Sequence, residues 1–195
     1  MLHAFSFIFT CIAACIIGIG SAWTILDGDL QFDKITLGQW EVWPLAGETE
    51  ADPYTKAYLS RQGTVWMGVT EGLILTASDD RDKAQLSGRC IYTLEGKIPR
   101  GRLWTLTTEI KSTPSPTQEK NRISQVHYIT SNDTIWEEDG RLVITVSQKV
   151  QPGNWLQVDS DDNFNLVLRI YDTPLTSGAL DNAIVTPSIS KGDCS

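Results

Sequence analysis

Hydrophobic and polar residues follow three patterns along the chain. The first 26 residues carry no charged side chain, and an apolar run of 23 residues extends from Ala4 to Leu26. Between Asp52 and Gly63 the pattern is helical: Asp52 can cap free backbone N–H groups, and Pro53 fits the first helical position. Beyond Gly63, apolar residues recur at every second position, as they do in strands with one buried face.

The alternating segments predict six or seven strands joined by short turns. They are Thr64–Thr70, Gly72–Ser78, Cys90–Leu94, Arg102–Ile110, Ile123–Thr130, Arg141–Gln148 and Phe164–Tyr171. Asp139-Gly140 is a hairpin signal. The predicted fold is mainly β: an antiparallel β-sandwich or jelly-roll-like domain with one short helix, preceded by an N-terminal transmembrane helix.

The apolar run predicts a membrane anchor or an uncleaved signal over residues 1–26. A helix of this length rises about 34 Å, enough to cross a hydrocarbon core of about 30 Å. The alternative is a cleaved signal peptide, for which Gly20-Ser21-Ala22 supplies small residues. The run is longer than a usual signal core and no Lys or Arg precedes it, which favours the anchor.

Four cysteines divide between the two parts of the chain. Cys11 and Cys15 lie in the apolar run, whereas Cys90 and Cys194 belong to the β domain. Two cysteines cannot form a four-ligand zinc site by themselves. In an oxidising compartment, a bridge would join the C-terminal tail to the strand that begins near Cys90. The alternative is two unpaired buried thiols.

Charge and residue type argue against several classes of chemistry. The formal charge of −8 falls on the residues after Leu26 and would repel nucleic acid. The domain has one histidine, His127, too few for a histidine-rich zinc site, and neither a serine elbow nor a glycine-rich phosphate loop occurs. The acidic turn at Asp159, Asp161 and Asp162 does not fit a calcium loop. We therefore expect no cofactor and no metal, although paired carboxylates for hydrolysis stay open.

Tryptophan is frequent, with seven residues in a chain of 195. Exposed indoles on a sandwich could stack against sugar rings, whereas buried indoles fill the core. The sequence favours the core interpretation.

Five motifs in a fixed order carry a resemblance to a known family. They are Arg102-Leu-Trp-Thr-Leu-Thr107, Asn121-Arg-Ile-Ser124, Asp139-Gly-Arg-Leu-Val-Ile144, Gly153-Asn-Trp-Leu156 and Phe164-Asn-Leu-Val-Leu-Arg-Ile-Tyr171. The series resembles the bacterial family catalogued as domain of unknown function 1214, over about residues 85–190. Gln157 stands where that family usually has proline.

The resemblance implies a β-sandwich-like fold, a cell-envelope location in a Gram-negative bacterium and no established reaction. Short, membrane-anchored, exported members often carry a cysteine before the first strand and one at the C-terminus, as Cys90 and Cys194 do here. We therefore expect a single-pass inner-membrane protein with its C-terminal domain in the periplasm. The predicted organisation is an anchor over 1–26, an extension with one helix and the first strands over 27–84, and the β-sandwich domain over 85–195.

The same motifs supply candidate ligand-binding residues: Asn121, Arg122, Asn154, Trp155, Arg169 and Tyr171. One interpretation is a hydrogen-bond and ion-pair network that ties loops to the sheet. The other is an anion or carbohydrate pocket with an arginine as donor. The expected partners are the lipid bilayer through residues 4–26 and an envelope protein or a carbohydrate or anion ligand, with no nucleic acid. The predicted function is a ligand- or partner-binding module, and the alternative is a carboxylate-dependent hydrolase of envelope or imported polymers.

Overall fold

The structure is a computed structural model that describes residues 2–27, 34–62, 66–68, 70–110, 127–173 and 184–194. Two helices and ten strands are described. The helices are α1 (Leu2–Asp27) and α2 (Pro53–Gln62). The strands are β1 (Ile35–Leu37), β2 (Trp40–Val42), β3 (Gly72–Ala77), β4 (Cys90–Gly96), β5 (Leu103–Ile110), β6 (Tyr128–Thr130), β7 (Leu142–Ser147), β8 (Asn154–Gln157), β9 (Phe164–Tyr171) and β10 (Ser188–Cys194).

The strands form two sheets that pack face to face. The six-stranded sheet has the order β1-β2-β3-β9-β5-β6, and the four-stranded sheet has the order β10-β4-β7-β8. One cluster of buried side chains contains residues from both sheets, such as Leu168 of β9 and Ile144 of β7. Neighbouring strands are antiparallel except β7 and β8. The prediction of a mainly β sandwich is confirmed.

The strands with the clearest alternation match the prediction closely. Strand β9 has the predicted bounds, and β3, β4, β5 and β7 differ from theirs by one or two residues at an end. The strand predicted over Thr64–Thr70 is not seen at residues 66–68 or 70, and its other residues lie outside the described ones. Residues 123–126 of the strand predicted over Ile123–Thr130 also lie outside them, and its last three residues form β6. The sequence missed β1, β2, β8 and β10, which are short or polar.

The strands before and after the predicted boundary at residues 84 and 85 share one sheet. Strand β3 pairs with β9 from Gly72↔Tyr171 to Ala77↔Leu166. Strand pairing across this boundary means that the 27–84 extension and the 85–195 domain contribute to one core. The division between them stays a prediction about how the sequence is organised.

Helix α1 is the apolar N-terminal helix that the sequence predicts. Residues Ala4–Thr24 have a mean hydropathy of 2.1 and none of the window is buried against the rest of the chain. A helix of this length and composition could serve as a membrane anchor or as a signal sequence.

The C-terminal strand is held at both ends. At its start, Gln39 donates from Nε2 to the Ile189 carbonyl (2.7 Å) and accepts from the Ile189 N–H at Oε1 (3.0 Å). Trp40 donates from Nε1 to the Pro187 carbonyl (2.7 Å). At its end, Cys194 lies opposite Cys90 of β4, with the two sulfur atoms at bonding distance, 2.03 Å. The tail is therefore fixed to the β1–β2 hairpin by hydrogen bonds and to β4 by the cysteine pair.

The Gly153-Asn154 corner returns the chain from β7 to its parallel neighbour β8. Gly153 adopts a φ of 80°, which favours glycine. Asn154 donates from Nδ2 to the carbonyls of Ile135 (2.7 Å) and Val143 (2.9 Å), and its Oδ1 accepts from the Ile135 N–H (2.7 Å). Trp155 donates from Nε1 to Ser147. This corner ties an outer loop and β7 to the edge strand β8.

The cysteine pair generates a first prediction. Closing a loop with a sequence separation of 104 restricts the unfolded chain, so Cys194→Ser should lower the free energy of unfolding by about 2–4 kcal/mol. Chemical denaturation of the non-reduced protein measures this loss, and non-reducing peptide mass mapping should join the peptides that hold Cys90 and Cys194. Cys15→Ser, which changes a free exposed thiol of α1, is the matched control. Alkylation of both cysteines without a reductant would contradict the pairing.

The Asn154 contacts generate a second prediction. Asn154→Ala removes the side chain that serves the backbone at Ile135 and Val143, so the free energy of unfolding should fall by about 1–3 kcal/mol. Asn132→Ala, in an exposed turn, should change it by less than about 0.5 kcal/mol. Denaturant titration measures the free energy of unfolding of both variants. Equal values would mean that the Asn154 side chain does not stabilise the corner.

Candidate functional site

The outer face of the six-stranded sheet is buried at its centre. Ile74 of β3 and Val167 of β9 are 4% and 3% exposed, yet neither belongs to the core cluster between the sheets. Their side chains alternate with those that enter that core, so they lie on the opposite face. Residues 43–62 and 66–68 supply a cover for this face.

Three aromatic side chains form the wall of this cover. The ring centroids of Trp43 and Trp66 are 5.4 Å apart with an interplanar angle of 72°, an edge-to-face contact. Trp43 also contacts Tyr58 of α2, with centroids 6.4 Å apart and an angle of 34°. The wall therefore joins the turn after β2, one helix and the segment before β3.

Local backbone contacts place the Trp66 segment. Gly47 lies so close to Met67 that a Cβ atom at Gly47 would be 2.4 Å from the Met67 carbonyl oxygen. A larger residue at position 47 would push the segment away. A turn follows, in which the Glu71 N–H donates to the Gly68 carbonyl (2.9 Å) and the chain enters β3.

A cavity of about 100 Å³ lies between the aromatic wall and the sheet. Its floor is the outer face of β3 and β9, and Glu41 and Glu109 lie at its sides. The lining residues are Glu41, Trp43, Tyr58, Trp66, Ile74, Thr76, Ser78, Glu109, Asn165 and Val167.

Buried polar atoms without a partner are concentrated in the residues that line this cavity. Among the described residues four side-chain polar atoms are buried without a hydrogen bond: Trp43 Nε1, Trp66 Nε1, Asn165 Oδ1 and Asp80 Oδ2. The first three belong to the cavity lining. Buried polar groups are nearly always hydrogen-bonded, so these three atoms mark the cavity lining as a part of the described fold in which hydrogen bonding is incomplete.

Both carboxylates in the lining are ion-paired. Lys34 Nζ lies 2.9 Å from Glu41 Oε1. Arg169 Nη2 lies 2.8 Å from Glu109 Oε1, and its Nη1 donates to Thr107 Oγ1 at 3.0 Å. The two pairs balance the charge of the lining, so the cavity favours neither sign of ligand strongly.

The candidate residues predicted from sequence lie in different places. Asn121 and Arg122 are outside the described residues. Asn154 and Trp155 are in β8 of the four-stranded sheet, whereas Arg169 and Tyr171 are in β9 of the six-stranded sheet. In the part of the chain that the structure describes, no hydrogen bond or ion pair joins these two pairs. Arg169 is ion-paired to Glu109 of the cavity lining, and a ligand-binding role for all six candidates stays a prediction.

The sequence analysis did not identify the residues that line the cavity, because they lie far apart along the chain. Glu41, Trp66 and Asn165 come from three separate segments. The close spacing of Trp40 and Trp43 was a signal in the sequence that this segment packs aromatic side chains. Only the structure shows that the two side chains have different surroundings. Trp40 is fully buried in the core between the sheets, whereas Trp43 belongs to the outer cover.

Other polar groups serve the scaffold. His127 Nε2 lies against the Asp159 carboxylate, and within the described ranges no group of three His, Cys, Asp or Glu side chains could hold a metal ion. Hydrogen bonds and charge from Arg141 lower the pKa of Asp139 in the Asp139-Gly140 turn. Burial raises the pKa of Tyr92, whose hydroxyl oxygen accepts from the Ser87 N–H.

Comparison with solved structures shows this fold in one other protein. The VPA0106 protein from Vibrio parahaemolyticus is 17% identical and superposes with a TM-score of 0.52 over 74% of this chain and 36% of its own. A putative uncharacterized protein from Burkholderia cenocepacia is 20% identical, with a TM-score of 0.40 over 78% of this chain and 46% of its own. The chain thus spans about a third of the Vibrio protein's length. No curated protein matches it.

A family match covers the floor of the cavity but not its aromatic wall. Residues 71–175 match the family described as "Protein of unknown function (DUF1214)". The match begins before the residue 85 expected from the motifs and ends before residue 190. Ile74 and Asn165 lie within it, whereas Trp43 and Trp66 precede it. Because the match covers more than half of the chain's 195 residues, the chain belongs to the DUF1214 family.

Proposed function

We propose that the protein is a ligand-binding module of the bacterial cell envelope, tethered to the inner membrane by α1 with its β domain in the periplasm. The apolar helix α1 supports the tether, since Ala4–Thr24 is long enough to cross a bilayer. The pairing of Cys90 with Cys194 supports an oxidising compartment, because disulfides persist outside the reducing cytosol.

The cavity between the aromatic wall and the outer face of the six-stranded sheet is the observation that carries the binding function. It is lined by aromatic rings of the cover and by polar side chains of the sheet, among them Thr76 and Ser78. Aromatic walls with a few convergent polar groups are typical of ligand sites.

Carboxylate-dependent hydrolysis is the other function that the sequence leaves open. Such enzymes place two carboxyl groups about 5–9.5 Å apart. Glu41 of β2 and Glu109 of β5 both line the cavity, but β3 and β9 lie between their strands. Three inter-strand spacings separate their backbones by about 14 Å, so the carboxyl groups could pair only if both side chains extended toward each other across β3 and β9. Each carboxylate is also engaged by a cation, so binding is the function that we propose.

Location generates a third prediction. The full-length chain should sediment with membranes after alkaline carbonate washing, because an apolar helix in a bilayer is not released by charge screening. Protease added to intact spheroplasts should digest the β domain. A chain from which residues 2–27 are deleted, expressed with a cleavable signal, is the control and should appear in the soluble periplasmic fraction. A β domain that is protected until the cells are lysed would contradict the proposed orientation.

Binding generates a fourth prediction. A ligand that binds the folded state stabilises it by about 2.7 kcal/mol at one hundred times its Kd. In a thermal unfolding screen of the full chain with neutral glycosides, choline, inorganic phosphate and amino acids, at least one probe should raise the midpoint. Thr76→Phe, which fills the cavity floor, should abolish that rise.

Thr145→Phe is the matched control for the binding screen. Thr145 is a half-buried residue of a strand in the four-stranded sheet and pairs with Trp155, so a phenyl group there leaves the cavity open. A screen in which no probe raises the midpoint would contradict the binding function. A response lost in Thr145→Phe and kept in Thr76→Phe would contradict the position of the site.

A further inference from the structure

The two cysteines of the β domain differ in how firmly they are held. Cys90 is 8% exposed and belongs to the core cluster between the sheets. Its N–H donates to the Ser87 carbonyl (3.1 Å), and the Gly88 N–H donates to the Asp162 carbonyl (3.0 Å). Cys194 is exposed, as are the three residues before it in β10. The pair therefore joins a cysteine fixed in the core to a cysteine on an exposed strand end.

The contacts that hold β10 are concentrated at its start. Ile189 is buried in the core, and the hydrogen bonds from Gln39 and Trp40 reach the same part of the tail. Pairing with β4 is regular over 188–191, and the register shifts before Cys194. Breaking the bond between the cysteines would therefore release the end of the strand while its start stays paired.

A cavity of about 190 Å³ reaches the cysteine pair. It lies at the end of the four-stranded sheet where β4 begins and where β7 and β10 end. Its lining includes both cysteines, Ile91 and the charged residues Arg89, Lys149 and Asp193. One water needs about 10–15 Å³ of such space. Because Cys194 and Lys149 are exposed to solvent, the cavity gives a thiol group a path to the bond.

The charge beside the bond favours thiol chemistry. Thiol–disulfide exchange proceeds through thiolates, and neighbouring cations lower the pKa of a thiol. Arg89 and Lys149 bring two cations to the cavity, and Asp193 is the one carboxylate among the described residues that line it. The protein as a whole has the opposite sign, with a formal charge of −8. The local charge therefore favours both an approaching thiolate and the thiolate that leaves.

We propose that the Cys90–Cys194 bond is a site of thiol–disulfide exchange with a dithiol, and that exchange releases the end of β10 without unfolding the domain. One thiolate of the dithiol attacks Cys194 Sγ, the bond to Cys90 breaks, and Cys90 leaves as a thiolate that takes up a proton. The second thiolate of the dithiol then attacks the first dithiol sulfur in the mixed disulfide, which releases Cys194. Two electrons and two protons pass to the protein, so the dithiol becomes a disulfide and both cysteines become thiols.

A dithiol is the class of reductant that the geometry favours. Cys90 stays in place after the first step because the core holds it, so its thiolate can attack the mixed disulfide and expel a monothiol. A second thiol on the same reductant competes with that return. The exchange site is on the four-stranded sheet and is independent of the cavity under the aromatic cover of the six-stranded sheet.

The test measures how fast dithiothreitol reduces the bond in the folded full chain. The chain is held in phospholipid nanodiscs and carries Cys11→Ser and Cys15→Ser, so that α1 supplies no competing thiol. Alkylation and peptide mass mapping follow Cys90 and Cys194 at urea concentrations below the unfolding transition. We expect a rate that does not change with urea, because exchange in the folded state exposes little new surface.

Hydrogen exchange locates the segment that reduction releases. After labelling for seconds, the amides of Lys191–Cys194 should lose their protection in the reduced protein, whereas those of β9 should keep theirs. Cys194→Ser should show the same pattern without a reductant, because it removes the same bond.

A charge variant tests the role of the cavity. Lys149→Gln removes one cation from the lining and should slow reduction about twofold to fivefold at low salt, the effect of one exposed charge interaction. Lys97→Gln is the matched control, because Lys97 is an exposed lysine that follows the far end of β4. It should leave the rate unchanged.

Three outcomes would count against the proposal. A reduction rate that rises with urea in parallel with global unfolding would overturn the exchange site, because the bond would then be reached only in the unfolded chain. A rate independent of urea with protection lost throughout β9 would overturn the local release of β10. Equal rates for Lys149→Gln and Lys97→Gln would overturn the part assigned to the charge of the cavity.

Discussion

The central constraint on this fold is that the middle of its six-stranded sheet is apolar on both faces. Strand β9 sends Phe164, Leu166, Leu168 and Ile170 into the core between the sheets, while Val167 on the other face is equally removed from water. A sheet of this kind needs a second cover. Residues 43–62 and 66–68 provide it, and the cavity lies where that cover meets the sheet.

In the four-stranded sheet, the edge strand β10 is mostly polar. Burial of its side chains therefore contributes little to keeping it paired with the sheet. Ile189 is the one residue of β10 in the core cluster of the described chain. Gln39 and Trp40 fix the start of the strand by hydrogen bonds, and the Cys90–Cys194 pair fixes its end. Because Gln39 lies in the turn of the β1–β2 hairpin and Trp40 begins β2, the tail ties one sheet to the other. Covalent and polar contacts thus supplement a small hydrophobic contribution at this edge.

The sequence predicts those elements whose burial is one-sided and regular. Strands β5, β7 and β9 alternate cleanly, and the capped helix α2 begins at its expected proline. Strands β1 and β2 have three residues each, too few to show an alternating pattern, and the polar β10 pairs with β4, a strand far from it in the chain. The cavity was beyond prediction for the same reason: no local pattern shows that Trp66 and Asn165 meet. Arg169 was singled out by its motif and lies beside the cavity, but through Glu109.

Unpaired donors at a buried surface oppose folding, so their concentration in one place needs a reason. Elsewhere in the described fold, comparable polar side chains have hydrogen-bond partners. Asn154 makes three hydrogen bonds to the backbone, and Trp155 donates to Ser147. The indole N–H groups of Trp43 and Trp66 lack hydrogen bonds, so this region is less stable than it would be if they had partners. Local losses of stability of this kind are typical of functional sites. The idle donors belong to the cover that precedes the family match, whereas the floor lies within it. The family domain therefore supplies the floor of the cavity, and the preceding segment of this chain supplies its aromatic wall.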